Sequence, residues 1–105
     1  MALTKITSGI LADEFNTSSV ISASTVNFTA SQVFTKTLSA NTTLVFSNAS
    51  TGMVKDLVIT GDYTITFPAG SKVVAGTYSG TVSNLIQVVV AGPADYWISI
   101  SQPQA

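Results

Sequence analysis

Residues 61–70 read GDYTITFPAG, Gly61-Asp62-Tyr63-Thr64-Ile65-Thr66-Phe67-Pro68-Ala69-Gly70. Side chains alternate across an extended strand, so Tyr63, Ile65 and Phe67 would share one face and Thr64 and Thr66 the other. Gly61-Asp62 and Pro68-Ala69-Gly70 are turn formers and close the two ends. The stretch predicts a strand with one buried face, and the same pattern recurs on both sides of it. Strands are expected at 26–30, 32–38, 42–47, 54–60, 63–67, 72–78, 85–91 and 96–101, separated by segments rich in Gly, Pro, Asn, Asp and Ser. No helical period of ten residues intervenes, which disfavours βαβ units. The fold class expected is all-β: an antiparallel β-sandwich or jelly-roll-like domain of eight short strands in two sheets.

Alternation also selects the core. Phe34 and Leu38, Leu44 and Phe46, Leu57 and Ile59, Tyr63, Ile65 and Phe67, Ile86, Val88 and Val90, and Ile98 and Ile100 are expected inside. Several strands are apolar on both faces, since Val45, Val58 and Val89 lie opposite these sets. Such a strand is either central in a two-sided core or covered by another subunit. In a small chain with no helical segment, the second option gains weight.

Composition points the same way. The 105 residues suit one domain, with 9% charged and 46% hydrophobic residues and a net charge of −1. An average domain carries about 25% charged residues, so few charges cover this surface, and much of it is expected to meet protein. Cysteine and histidine are both absent, which removes disulfides, thiolate metal sites and the commonest transition-metal ligand. No metal and no cofactor are expected. Lys5, Lys36, Lys55 and Lys72 are scattered among a majority of acidic residues, the opposite of a nucleic-acid footprint. The longest apolar run, Val88 to Ala94, is far below the roughly 20 residues of a spanning helix, so no membrane partner is expected. The N-terminus lacks the apolar core of a secretion signal and reads as a cytoplasmic start.

Chemistry-bearing motifs are sparse. Asn16, Asn27, Asn41 and Asn48 each begin an Asn-X-Ser/Thr triplet, a match that chance supplies in a chain this rich in Ser and Thr. Asp13, Glu14, Asp56, Asp62 and Asp95 show no calcium-loop spacing, and turn or solubility roles account for them. Ser71 and Lys72 are adjacent on a strand and so face opposite ways, which spoils a Ser-Lys nucleophile. No enzyme activity is expected. Tyr78, Tyr96 and Trp97 are the candidate interface or ligand aromatics: an exposed ring could stack on a sugar, whereas packing in a core or interface is the more ordinary fate. Trp97 shares its face with Ser99 and Ser101, and is expected to be covered by another subunit or chain segment rather than left as a ligand platform.

Residues 1–25 hold no clean period. They read as an extended attachment arm whose apolar contacts would come from Leu3, Ile6, Ile10 and Leu11, with residues 26–105 as the oligomerising β-domain.

Asn41-Thr42-Thr43-Leu44-Val45-Phe46-Ser47-Asn48, Gly52, Leu57-Val58-Ile59, Tyr63-Thr64-Ile65-Thr66-Phe67-Pro68 and Tyr96-Trp97-Ile98 resemble, in order and spacing, a module of structural proteins of tailed bacteriophages. The opening segment 3–13 is similar to the piece that joins phage fibre proteins to the particle. The resemblance implies a virion structural protein, a tail-fibre, head-fibre or capsid-decoration component. It would be made in the host cytoplasm, docked by its arm on capsid or tail proteins and assembled as a homotrimer. A receptor- or glycan-binding tip, with a host-surface glycan as partner, is the alternative, and a non-viral secreted β-module the third reading.

Overall fold

The structure, a computed structural model, describes residues 18–21 and 23–104. Ten strands and no helix occur among them: β1 (Ser18–Val20), β2 (Thr25–Asn27), β3 (Val33–Thr37), β4 (Thr42–Thr43), β5 (Val45–Ser47), β6 (Val54–Thr60), β7 (Ile65–Thr66), β8 (Ser71–Ala75), β9 (Asn84–Gly92) and β10 (Asp95–Ser101). All-β character is therefore as expected. The connectivity is not that of an antiparallel sandwich.

Five of the seven strand pairs are parallel. Ser18 pairs with Val33 and Val33 with Asp56, so β1, β3 and β6 stack side by side in the same direction. β2 stacks on β5 through Thr25–Val45, and β4 on β7 through Thr42–Ile65. In these four pairs each strand meets the strand lying 15 to 23 positions further on, and this part of the chain winds as a short solenoid. Parallel neighbours need a long crossover, which a helix usually supplies; here the crossover is itself made of strands and corners. Coils of unequal length with no shared motif leave no repeat in the sequence.

The winding ends in a hairpin. β9 runs antiparallel to β6, and β10 antiparallel to β9. β8, the return of the third coil, pairs parallel with β10, giving one six-stranded sheet in the order β1-β3-β6-β9-β10-β8. The hairpin therefore lies between β6 and β8, which would be neighbours in a regular solenoid.

Inward side chains form one core: Ile21, Val26, Phe28, Phe34, Leu38, Leu44, Phe46, Leu57, Ile59, Ile86, Val88, Val90, Tyr96, Ile98 and Ile100. Phe46 joins the coils to the hairpin, with its ring 5.1 Å from Phe28 and edge-on to Tyr96 at 4.9 Å, an arrangement aromatic pairs favour. Asparagines tie coil to coil: Asn48 Nδ2 donates to Asn27 Oδ1, and Thr64 N donates to Asn41 Oδ1. The asparagines of three of the four Asn-X-Ser/Thr triplets, Asn27, Asn41 and Asn48, are thus engaged in hydrogen bonds between coils; Asn16 lies outside the described residues.

Three expectations change. Tyr63 is 44% exposed rather than in the core, because its N–H bonds back to Gly61 O and the tight turn breaks the parity shared with Ile65 and Phe67. The expected strand 42–47 is split, with Leu44 between β4 and β5 pointing into the core. The boundary at residue 25 falls inside the first coil, since β1 pairs with β3 and Ile21 is 4% exposed. Leu3, Ile6, Ile10 and Leu11 lie outside the described residues.

Candidate functional site

One face of the six-stranded sheet covers the core and the other faces outward. Strand register arranges the outward side chains in three rows that cross the strands. The first runs Val20–Thr35–Val58–Leu85–Ser101, the middle one Val33–Asp56–Gln87–Ser99, and the third Val54–Val89–Trp97–Lys72. Val20, Val54, Leu85, Val89 and Trp97 are all exposed there. The middle row is polar across β6, β9 and β10, where Gln87 Nε2 donates to Asp56 Oδ1 at 3.3 Å. Two apolar flanks thus border a polar centre. The both-faces-apolar pattern of β6 and β9 was legible in the sequence; the structure shows that the core takes only one of the two faces.

Trp97 anchors the third row and is 44% exposed. Its Nε1 donates to Asp95 Oδ1 at 3.0 Å, the same oxygen accepts from Lys72 Nζ, and the Lys72 ammonium lies 5.4 Å from the ring centroid. Lys72 holds the Asp95 carboxyl below its ordinary range by hydrogen bonding and charge, and the indole N–H adds to the effect. The indole is therefore oriented, with its one donor satisfied. Sequence reasoning missed Lys72 and Asp95 because they meet only through the parallel pairing of β8 with β10.

At the other flank, beside the first row, Val58, Ser83, Leu85, Ser101, Gln102 and Pro103 line a shallow, mostly apolar hollow of about 320 Å³. Its floor is Asn84, fully buried, whose amide bonds Ile59 O, Ser79 N, Ser79 O, Val82 O and the Gln102 side chain.

The other candidate aromatics take different places. Tyr96 is in the core. Tyr78 is half-buried and donates to Gly61 O at 2.7 Å, and burial, with help from Asp62, pushes its hydroxyl pKa up. Tyr78 also borders a polar groove of about 400 Å³ with Asn41, Asp62, Tyr63 and Thr77. Lys55, expected among the scattered surface charges, is 1% exposed and donates to Gln32 Oε1. Ser71 Oγ and Lys72 do not meet; the lysine turns to Asp95. Among the described residues, no group of three carboxylates, histidines or cysteines converges.

No family model, curated protein or solved structure matches this chain.

Proposed function

We propose that the protein is a non-catalytic structural subunit of a tailed-phage particle, a fibre, decoration or tail component. It attaches through its N-terminal segment and assembles with copies of itself, as a homotrimer, through the outer face of the six-stranded sheet. That face carries the reading. Five large apolar side chains project from it in two ordered rows, in a chain with too few charges to keep such a surface solvated. Burial of apolar area at about 25 cal/mol per Å² favours assembly, and a subunit of a particle exposed outside a cell benefits from the slow unfolding that assembly brings.

Light scattering at micromolar concentration tests the self-assembly. A mass near three times 10.9 kDa is expected, and a monomer mass would sink the reading. Mass spectrometry of purified particles from an infection that expresses the gene tests the virion role, which fails if the chain is present in lysate but missing from particles.

The polar groove at Asn41, Asp62, Tyr63, Thr77 and Tyr78 favours a second reading, a glycan-binding tip. An exposed Tyr63 ring beside a carboxylate and an amide offers a stacking surface with hydrogen-bonding groups around it. Saturable binding on a glycan array, lost in Tyr63→Ala, would move this reading to first place.

A further inference from the structure

Lys55 is a charge inside the fold. It sits on β6 in phase with the inward Leu57 and Ile59 and is 1% exposed. Its Nζ donates to Gln32 Oε1 at 3.4 Å, while Gln32 Nε2 donates to Val54 O at 2.6 Å, which fixes the amide with its oxygen toward the ammonium. Gln32 is not the only group that Lys55 interacts with. A neutral oxygen does not balance a buried charge, and ammonium groups held out of water are kept charged by an anion beside them.

The chain has five carboxylates, at Asp13, Glu14, Asp56, Asp62 and Asp95. Asp56 follows Lys55 on the strand, so it faces the other way, and it accepts from Gln87. Asp62 lies past the far end of β6, in the groove with Tyr78. Asp95 is taken by Lys72 on the opposite side of the hairpin. The other two, Asp13 and Glu14, lie outside the described residues.

Strand register puts them within reach. Ser18 pairs with Val33 and Val33 with Asp56, so the chain enters β1 at the corner of the coil where Gln32 and Lys55 sit. Two strand spacings and one residue step separate the Cα atoms of Ser18 and Lys55, about 10 Å. The step back from Ser18 to Glu14 spans up to about 14 Å, and that to Asp13 up to about 18 Å. Ser31, next to Gln32, is buried and shares a 2.6 Å hydrogen bond with Ser19 Oγ, so the corner between β1 and Lys55 is polar. A groove of about 610 Å³ borders Gln32 and Lys55 together with Thr51, Met53 and Val54, which leaves room for chain to lie against them.

We propose that the segment just ahead of β1 folds back over this corner and seats a carboxylate of Asp13-Glu14 on the Lys55 ammonium. The contact is a latch within one chain, so it forms whether or not copies assemble. It closes the first coil, and it limits the length free to attach to a partner to residues 1–12, which still carry Leu3, Ile6, Ile10 and Leu11.

Glu14 is the only glutamate in the chain, so a glutamate-specific protease has one site to cut. The full chain is expected to resist cleavage after Glu14, and Lys55→Met, with its β-sheet circular dichroism retained, to be cut at least about tenfold faster, since breaking a buried pair is costly. A wild-type chain cut as fast as denatured protein, or a rate unchanged in folded Lys55→Met, overturns the latch. In denaturant unfolding, Asp13→Asn combined with Glu14→Gln should lower the folding equilibrium constant at least about tenfold where Lys55 is intact and less than about twofold in Lys55→Met. Equal losses in the two backgrounds also overturn it. Carbon-13 NMR of the wild-type chain reads the same contact with no variant at all: one of the two carboxyls should titrate well below its ordinary range, and ordinary titration of both would refute the pairing even if Lys55→Met failed to fold.

Discussion

Asn84 is polar, fully buried and saturated with partners, and it fastens the loop before β9 to the sheet. Replacing it with Leu leaves Ser79 N–H and several carbonyls without their partner, at about 1–3 kcal/mol for each buried group stranded. Asn84→Leu is expected to lower stability by about 2–4 kcal/mol, read as a drop in the denaturant midpoint at unchanged slope; a shift under about 0.5 kcal/mol would show that the loop is held otherwise. The residue was partly legible, because alternation puts Asn84 on the inner face with Ile86, Val88 and Val90, and a polar side chain in that position needs partners. Asp95 was not legible as a site residue, since its partner Lys72 is 23 positions away. Its lowered pKa sets a sign. The native state binds the proton less tightly than the unfolded chain, so the Lys72–Asp95 contribution is present above the ordinary aspartate pKa of 3.8 and lost as pH falls through the depressed value. Acid titration followed by Trp97 fluorescence should therefore show an emission change below pH 3.8 that is missing in Asp95→Asn. A wild-type change centred above the ordinary value would contradict the assignment.

Elements were easier to read than their partners. The span 54–60 matches β6, and β9 and β10 extend the expected ranges by a residue or two, because apolar alternation and turn residues are local signals. Pairing is non-local: β8 and β10 both read as ordinary strands, and nothing in Ser71–Ala75 says that it lies parallel to β10 beyond the hairpin. The contact that fixes this edge is a close one between two turns. Gly70 has φ +90°, and a Cβ there would lie 1.9 Å from Ala94 O; one residue away in the pairing, Tyr96 N donates to Gly70 O. Gly70→Ala would meet both the left-handed strain of about 1–2 kcal/mol and a backbone collision that only separation of β8 from β10 relieves. A loss of at least about 2 kcal/mol is expected, with faster amide exchange in 71–75 than in β6. Uniform exchange across both strands would mean that the edge is not anchored at this turn. The GDYTITFPAG stretch thus earns its ends, Gly70 above all, although its Tyr63 faces outward.

At the scale of the molecule, the sequence reading divided the chain at residue 25, and the coils divide it differently. A solenoid coil cannot bury its own inner face and depends on its neighbour. β1 is the outermost strand of the six-stranded sheet, so its removal exposes the edge of β3 along Val33–Thr37. Ile21 would go with it, together with its N–H bond to Thr35 O and the carbonyl that accepts from Lys36 Nζ. Truncating a buried Ile to Ala alone costs about 2–5 kcal/mol, and a domain of this size has only about 5–15 kcal/mol in all. Deletion of residues 1–17 keeps β1 and Ile21, whereas deletion of 1–25 takes both. The longer deletion is therefore expected to be less stable than the shorter by at least about 2 kcal/mol, a gap in melting temperature of several degrees, with Ile21→Ala in the full chain reproducing much of it. Equal melting temperatures for the two deletions would mean that the first coil adds nothing to the fold and that the separable arm does run to residue 25.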